Sequence, residues 1–374
     1  MRIGEIYAER SERGAEDMEL LSVTMNDGVK MRSDIEGKDN SSEDKSNYKI
    51  VRVGDMVYNS MRMWQGANGI SPWDGIVSPA YTVLKPRMPI SNGFFAALFK
   101  THRLINEFRK NSQGMTSDTW NLKYPQIETI KTCIPALDEQ EKIAEFLMAL
   151  DRRIEKQRSL VEHLKKYKRG VIKEFLNPRT CPIKNAVWSK ATIGELGTFV
   201  KGAPLSKADI SDEGTPFILY GELYTTYGEV INKVVRKTQR SVDNVYLSRT
   251  GDVLIPTSGE TPEEISTASC VMVSGVILAG DLNIFRTSKV DGRIMSYVLN
   301  HIVNSNIARI AQGKSVVHIQ ASEISKISIS YPDENTQQQL ISVFDGISEK
   351  ITLAEEALAK MIMLKKSIIQ KMFI

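Results

Sequence analysis

The stretch "DEQEKIAEFLMALDRRIEKQRSLVEHLKK", Asp138–Lys166, decides the fold, because neither Gly nor Pro interrupts it and it is far longer than an ordinary helix. Starting at Ile143, alternating steps of four and three residues reach ten positions, and eight of them are apolar. An apolar repeat of 3.5 residues kept for so long predicts a helix that pairs with a second helix. The pairing face, which we call the seam, includes Ile143, Leu147, Leu150, Ile154, Val161 and Leu164.

The second helix lies in the same chain. A shift of 197 residues takes "PALDEQEKIAEFLMALDRRI" from Pro135 onto "PDENTQQQLISVFDGISEKI" from Pro332 without a gap, and it takes Lys168 onto Lys365. The same shift gives the second seam: Leu340, Phe344, Ile347, Ile351, Leu358 and Met361. The sequence therefore predicts an antiparallel coiled coil. The alternative is two unrelated amphipathic helices, each packed on its own domain.

The repeat continues outside the helices. The shift also takes "RVGDMVYNS" (52–60) onto "RTGDVLIPT" (249–257), and each copy holds short strands and one amphipathic helix, "FFAALFKTHRLINEFRKNSQG" or "RIMSYVLNHIVNSNIARIAQG". This pattern predicts an α+β fold with pseudo-two-fold symmetry. We expect similar globular domains at residues 1–134 and 179–331, separated by helices at 135–178 and 332–374.

Composition limits the class of protein. The chain has 374 residues, a formal net charge of +4, 41% hydrophobic residues and no apolar run long enough for a membrane span. The N-terminus has no apolar targeting segment, so a cytoplasmic location is expected. Cys133, Cys181 and Cys270 lie far apart in sequence, and the pattern favours neither a metal site nor a disulfide framework.

Catalytic motifs are weak. "AQGKS" (311–315) resembles the end of a phosphate-binding loop, but Ala308 stands where that motif needs a glycine. "EGK" (36–38) and "EDK" (43–45) resemble part of a nuclease site, and a solvated polar loop is the alternative. We therefore expect no catalytic or metal-binding residues in this chain.

Polar and aromatic loops are the candidate contacts to DNA. "NSMRMWQGANG" (59–69) groups side chains that can hydrogen-bond or stack on bases, although it is also compatible with a structural loop whose tryptophan is buried. The segments after the amphipathic helices carry hydroxyls, amides and lysines suited to phosphates and base edges. The candidates are Lys38, Lys45, Arg62, Trp64, Gln65, Asn68, Thr116, Thr119, Lys123, Lys314, Ser315 and Gln320.

Tandem copies of a variable domain, each followed by a long helix that in the first copy opens "IPALDEQEKIAEFLMALDRRI", resemble the specificity subunit of type I restriction-modification systems. The similarity covers essentially the whole chain and includes "NSQGMTSDTWNL" and the segment from Asn40 to Pro86. The second helix departs from the usual opening, because "PDENTQQQLISVFDGI" keeps only Gln337 and Leu340 of it.

The resemblance implies a non-catalytic protein that binds double-stranded DNA with a split, asymmetric target. It also implies two modification subunits docked on the helices, restriction subunits in the complete complex and one copy of this chain per complex. S-adenosylmethionine, ATP and Mg²⁺ would be bound by the partner subunits, and this chain would bind no cofactor.

Helix length gives a scale for the gap in that target. About 33 residues of seam at about 1.5 Å each span roughly 50 Å, or about 15 base pairs. Two alternatives remain open: a DNA-binding adaptor or decoy without a methyltransferase, and a nuclease that uses the loop around Lys45.

Overall fold

A computed structural model of the chain describes residues 1–14, 17–25, 28–35, 37, 41–116, 119–311, 313 and 317–373. The chain divides into two compact units: unit 1 contains Met1–Ser159 and Glu355–Ile374, and unit 2 contains Leu160–Ala354. None of the helices in the described ranges combines the length and apolar character that a membrane span requires.

Unit 1 is built on an antiparallel four-stranded sheet in the order β1-β8-β5-β6, with the pairs β2-β3 and β4-β7 beside it. Its main core holds Phe95, Phe99 and Phe108, all fully buried. Its elements are β1 (Tyr7–Glu9), β2 (Leu21–Thr24), β3 (Gly28–Met31), β4 (Lys49–Val51), β5 (Met56–Asn59), β6 (Asn68–Ile70), β7 (Gly75–Val77), β8 (Tyr81–Pro86), α1 (Ile3–Ile6), α2 (Asn92–Leu98), α3 (His102–Asn111), α4 (Tyr124–Ile127) and the first part of α5 (Leu137–Phe175).

Unit 2 is built on a five-stranded sheet in the order β10-β18-β14-β16-β12, with a three-stranded sheet in the order β13-β11-β17 and the pairs β15-β19 and β20-β9. Its elements are β9 (Trp188–Thr192), β10 (Gly197–Lys201), β11 (Thr215–Leu219), β12 (Val230–Ile231), β13 (Arg236–Thr238), β14 (Asp252–Pro256), β15 (Ser258–Gly259), β16 (Ser269–Val271), β17 (Ile277–Ala279), β18 (Leu282–Thr287), β19 (Val317–His318), β20 (Ser328–Pro332), α6 (Ile193–Leu196), α7 (Glu222–Thr225), α8 (Pro262–Ile265), α9 (Gly292–His301), α10 (Asn304–Ile310), α11 (Ala321–Ser325) and the start of α12 (Glu334–Met372).

The main sheets of the two units share the order of four strands, and the sheet of unit 2 adds β12 at one edge. The order β1-β8-β5-β6 corresponds element by element to β10-β18-β14-β16, and a short helix, α1 or α6, leads into the first strand of each. The α+β duplication predicted from the 197-residue shift is thereby confirmed.

Two long helices, α5 and α12, each contain 39 residues. In unit 1, the early turns of α5 around Leu147 pack with Ile369 near the end of α12. In unit 2, Phe175 at the end of α5 packs with Phe344 near the start of α12, with ring centroids 6.4 Å apart. The helices are therefore antiparallel, as predicted.

Most seam side chains lie away from solvent. Leu147, Val161, Leu340, Phe344 and Ile351 are buried. The partly buried seam residues are Ile143, Leu150, Ile154, Leu164, Ile347, Leu358 and Met361. The polar seam residue Lys168 bonds to Glu229 in unit 2, whereas Lys365 bonds to Asp151 of α5 in unit 1.

A buried glutamine fastens the start of each long helix to its own unit. Gln140 accepts a hydrogen bond from Ser91 N at 3.1 Å and donates to Pro135 O at 2.9 Å. Gln337, which is 197 residues later, accepts from Asp291 N at 2.7 Å and donates to Pro332 O at 2.8 Å. Both copies therefore hold the helix against the segment that precedes α2 or α9.

The prediction of a single amphipathic helix in each copy is wrong, because each of these segments forms two shorter helices. Thr101 divides α2 from α3: its hydroxyl donates to Leu98 O at 2.8 Å and accepts from Leu104 N at 3.4 Å, which caps the second helix. In unit 2 the break falls between α9 and α10, at Ile302 and Val303.

Candidate nucleic-acid interface

Two loops of unit 1 form the candidate interface. Loop A joins β5 to β6 (residues 60–67), and loop B follows α3 and is described over residues 112–116 and 119–123. Leu122 N donates to Ser60 O at 2.9 Å, and the indole rings of Trp64 and Trp120 meet edge to face at 5.2 Å. The two loops therefore form one surface, although their tryptophans lie far apart in sequence.

Loop A is shaped by its own hydrogen bonds. Asn59 N donates to Ala67 O at 3.0 Å, and a single 3-10 turn spans Met63–Gln65. Gly66 ends the turn at φ 88°, a left-handed conformation that glycine adopts without steric cost. The buried amide of Asn68 donates to Gly66 O at 3.2 Å.

This shape separates the loop A candidates. Arg62 and Gln65 are exposed and lie side by side, with Arg62 Nη1 3.5 Å from Gln65 Oε1. Trp64 is half-buried, and its indole N–H donates to Met61 O at 3.0 Å. Asn68, the first residue of β6, is fully buried beneath loop A, so contact with a base would require its side chain to leave this position.

Loop B presents a different set of groups. Gln113 and Asn121 pair through both of their backbone bonds, at 3.0 and 2.8 Å, which closes the loop. Thr119 Oγ1 donates to Thr116 O at 2.9 Å and accepts from Thr116 N, so both threonines also maintain the loop. Lys123 is exposed at the end of the loop.

Sequence reasoning missed two residues of this surface. The guanidinium of Arg109, in the last turn of α3, lies 5.4 Å from the ring centroid of Trp120. Their contact is a cation–π pair of the kind that can continue onto a stacked base. In the sequence, only Trp120 itself indicates an aromatic contact here, in a loop whose hydroxyls predict contact with DNA.

The remaining candidates are dispersed. Lys45 is half-buried in the segment before β4, where its carbonyl accepts from Tyr48 N at 2.9 Å. Gln320 is exposed at the N-cap position of α11 in unit 2, where its side chain makes no capping hydrogen bond. Lys38, Lys314 and Ser315 lie outside the described residues. The structure therefore brings together the loop A and loop B candidates.

Unit 2 has an exposed basic edge that sequence reasoning also missed. β13 is an outer strand of its three-stranded sheet. Arg236 and Lys237 are exposed on it, and Lys233 and Arg240 are exposed in the segments before and after it. Arg236 pairs with Glu222 at 3.1 Å, and Arg240 pairs with Asp209 at 2.9 Å. Charges on an edge strand prevent sheet-to-sheet association, and they also suit phosphate contacts.

Asp209 remains ionised beside this edge. A hydrogen bond from Ser206 N and the neighbouring Arg240 lower the pKa of Asp209. Arg240 is therefore held in place, whereas Lys233 and Lys237 have no ion-pair partner in the described part of the chain.

A duplicated framework with loops that present arginine and tryptophan is typical of proteins that contact nucleic acids. The family model of the type I restriction modification DNA specificity domain matches residues 29–163 and 185–361, which is more than half of the chain. The chain belongs to this family, whose members recognise DNA targets.

Solved structures have the same fold. A chain from a study of complex assembly and conformational transition in the type I restriction-modification system aligns with a TM-score of 0.65 and 16% identity, covering 100% of this chain and 96% of that one. The S subunit of a type I restriction-modification system from M. genitalium aligns with a TM-score of 0.54 and 14% identity, covering 100% and 95%. At these identities the alignments establish the fold alone.

Proposed function

We propose that this chain is the non-catalytic specificity subunit of a type I restriction-modification complex and reads a bipartite, asymmetric DNA target. The observation that carries the proposal is the shared strand order of the two main sheets, which support different loops. After β5, unit 1 has loop A, whereas after the equivalent strand β14, unit 2 has β15 and α8. Different loops on one framework suit two different half-sites.

A domain exchange tests this proposal. Residues 1–134 are replaced by the matching domain of another family member, the modification subunit is co-expressed, and methylated sites are mapped by methylome sequencing. We expect one half of the target to change and the other half to persist. A change in both halves would contradict independent reading by the two domains.

We propose that two modification subunits dock on α5 and α12. Phe146, Leu160 and Tyr167 are exposed on α5 at intervals of 14 and seven residues, outside the seam. The 197-residue shift takes Phe146 onto Val343 and Tyr167 onto Leu364, both also exposed. Apolar side chains kept exposed at equivalent places on both helices suit two copies of one helical partner.

Substitutions on these rows test the docking. Phe146→Glu or Val343→Glu should each leave one modification subunit bound, and the double variant should leave none, as measured by mass photometry of the co-purified complex. Met148→Glu is the matched control, because Met148 is equally exposed on α5 but Asp345 stands at its equivalent place. Loss of both subunits in the control would show that any charge on this helix disrupts assembly.

The remaining chemistry is assigned to the partners. We propose that S-adenosylmethionine binds the modification subunits, that ATP and Mg²⁺ serve the restriction subunits, and that one copy of this chain joins each complex in the cytoplasm. The lengths of α5 and α12 would set the gap between half-sites. A decoy without a methyltransferase would retain no modification subunit in a pull-down. A nuclease would cut DNA alone with Mg²⁺ and lose this activity in Lys45→Ala.

A further inference from the structure

A polar cleft of about 280 Å³ opens at one end of the main sheet of unit 1. Glu9, Arg13 and Lys49 line one side, and Asn121 and Lys123 of loop B line the other. Within residues 120–123, loop B therefore contributes both the aromatic ring of Trp120 and two side chains that line this cleft.

The charges in the cleft do not cancel. Lys49 is buried, and its ammonium donates to Tyr81 O at 2.8 Å and lies 3.4 Å from Glu9 Oε1. Among the described residues, Glu9 is the only carboxylate that lines the cleft, and it already has this partner. Arg13 and Lys123 are exposed at the rim, and neither has an ion pair within the described part of the chain. Two cations remain available to an anion that enters.

The floor of the cleft is formed before any ligand binds. Ser60 Oγ and Thr82 Oγ1 share a buried hydrogen bond of 2.8 Å, and Ser60 N donates to Ala80 O at 3.1 Å. Leu122 N, which donates to Ser60 O, fixes loop B over this floor. A polar site held by its own hydrogen bonds loses little conformational entropy when it binds.

We propose that this cleft binds one backbone phosphate of the DNA, with Arg13 and Lys123 as its two cationic contacts. The inference rests on the proposed DNA-binding function, and it adds to the sequence candidate Lys123 a second cation, Arg13, in the same cleft. A phosphate contact at this place would fix the register of the duplex against loop B without reading sequence. Arg13, in the segment after β1, is then a DNA-binding residue that none of the sequence motifs includes.

Salt dependence of binding tests the proposal. The full-length chain is titrated with a duplex that carries the mapped target and with a mixed-sequence duplex, over a series of salt concentrations. Arg13→Ala and Lys123→Ala should each weaken binding to both duplexes by about threefold to tenfold. Each should also reduce the slope of log K against log [salt] by up to about 0.9, the value for one phosphate.

The double variant distinguishes one phosphate from two. Because both cations would contact the same phosphate, the double variant should reduce the slope by about 0.9 in total, and not by about twice that amount. Lys123→Arg keeps the charge and should bind as the wild type does. Lys110→Ala is the matched control, since Lys110 is exposed on α3 and pairs with Glu107 at 2.8 Å.

Several results would overturn the proposal. Unchanged affinity and slope in the double variant would exclude the cleft, and weaker binding to the target duplex alone would indicate a base contact instead. A slope reduction of about 1.8 would assign the cations to two phosphates. If the wild type binds neither duplex, the DNA-binding function fails, and the cleft proposal with it. Circular dichroism of each variant checks that it folds.

Discussion

Each unit has a buried aspartate at the equivalent position, and the two units provide different ion-pair partners for its carboxylate. Asp55 in unit 1 and Asp252 in unit 2 each accept a hydrogen bond from the backbone of the arginine three residues earlier, at 2.8 and 2.9 Å. The ion-pair partner differs. Asp55 pairs with Arg10, which follows β1, at 2.7 Å, whereas Asp252 pairs with Arg286, which lies on β18, at 3.4 Å.

That difference distinguishes what the duplication keeps from what it lets vary. The turn, the strand order and the need to pair a buried carboxylate recur, because an unpaired buried charge costs several kcal/mol. The strand that supplies the arginine does not recur. Residues on the loops have even fewer constraints, and there the two units differ most.

The largest effect is expected at equivalent seam positions. Phe344→Ala should lower the free energy of unfolding of unit 2 by about 3–5 kcal/mol, because Phe344 is fully buried against Tyr297, with ring centroids 4.9 Å apart. Leu147→Ala, its equivalent, should cost unit 1 about 2–5 kcal/mol. Native-state hydrogen exchange, resolved by peptide, measures each unit separately. Equal loss in both units from either variant would mean that they unfold together.

The two seam lysines should behave differently. Lys168→Met removes the ammonium that lies 3.0 Å from the largely buried Glu229, and should destabilise unit 2 by about 3 kcal/mol. Lys365→Met removes a partner from the exposed Asp151, and should change unit 1 by less than about 1 kcal/mol. Equal costs, measured by the same hydrogen exchange, would show that the lysines act only by filling the seam.

Acid should weaken unit 2 through Glu229. Burial alone would raise the pKa of Glu229, but the hydrogen bond with His301 and the charge of Lys168 lower it to about 2. Because the folded pKa lies below the unfolded value, this stabilisation is complete above about pH 4.5 and is lost as the pH falls toward 2. The change is on the order of 3 kcal/mol, measured by denaturant unfolding across this range. Glu229→Gln should remove this part of the pH dependence.

The duplicated glutamines should have nearly equal effects. Gln140→Met and Gln337→Met keep the side-chain volume but leave a backbone N–H and a proline carbonyl unpaired, so each should cost about 2 kcal/mol in its own unit. Hydrogen exchange, resolved by peptide, measures the loss of free energy of unfolding in each unit as the temperature is raised. A cost at only one position would show that the helix starts are fastened differently despite the same contacts.

Local patterns account for what the sequence predicted correctly. The long helices follow from a repeat within one segment, and the duplication follows from one shift that keeps Asp55, Gln140 and Leu147 in register with their equivalents. The break at Thr101 was missed because an apolar period continues through it, although its hydroxyl caps a new helix.

Contacts between distant segments were beyond the sequence. The sequence does not predict Trp120 as a DNA contact, because its position on the surface depends on Trp64 and Arg109, which contact it from loop A and α3. Asn68 was selected for its amide, which the fold uses to close loop A. The basic edge around β13 gained meaning only when that strand proved to lie at the border of a sheet.

By itself, the sequence determined two long helices and a duplicated α+β framework, because periodicity and turn chemistry act over neighbouring residues. Only the tertiary structure decided which side chains share a surface. Three basic residues, Arg13, Lys49 and Lys123, line one cleft because an antiparallel bridge pairs Arg13 with Lys49, and the bond from Leu122 to Ser60 brings loop B to the same place. Such contacts depend on how strands pair across the whole unit, and no local pattern encodes them.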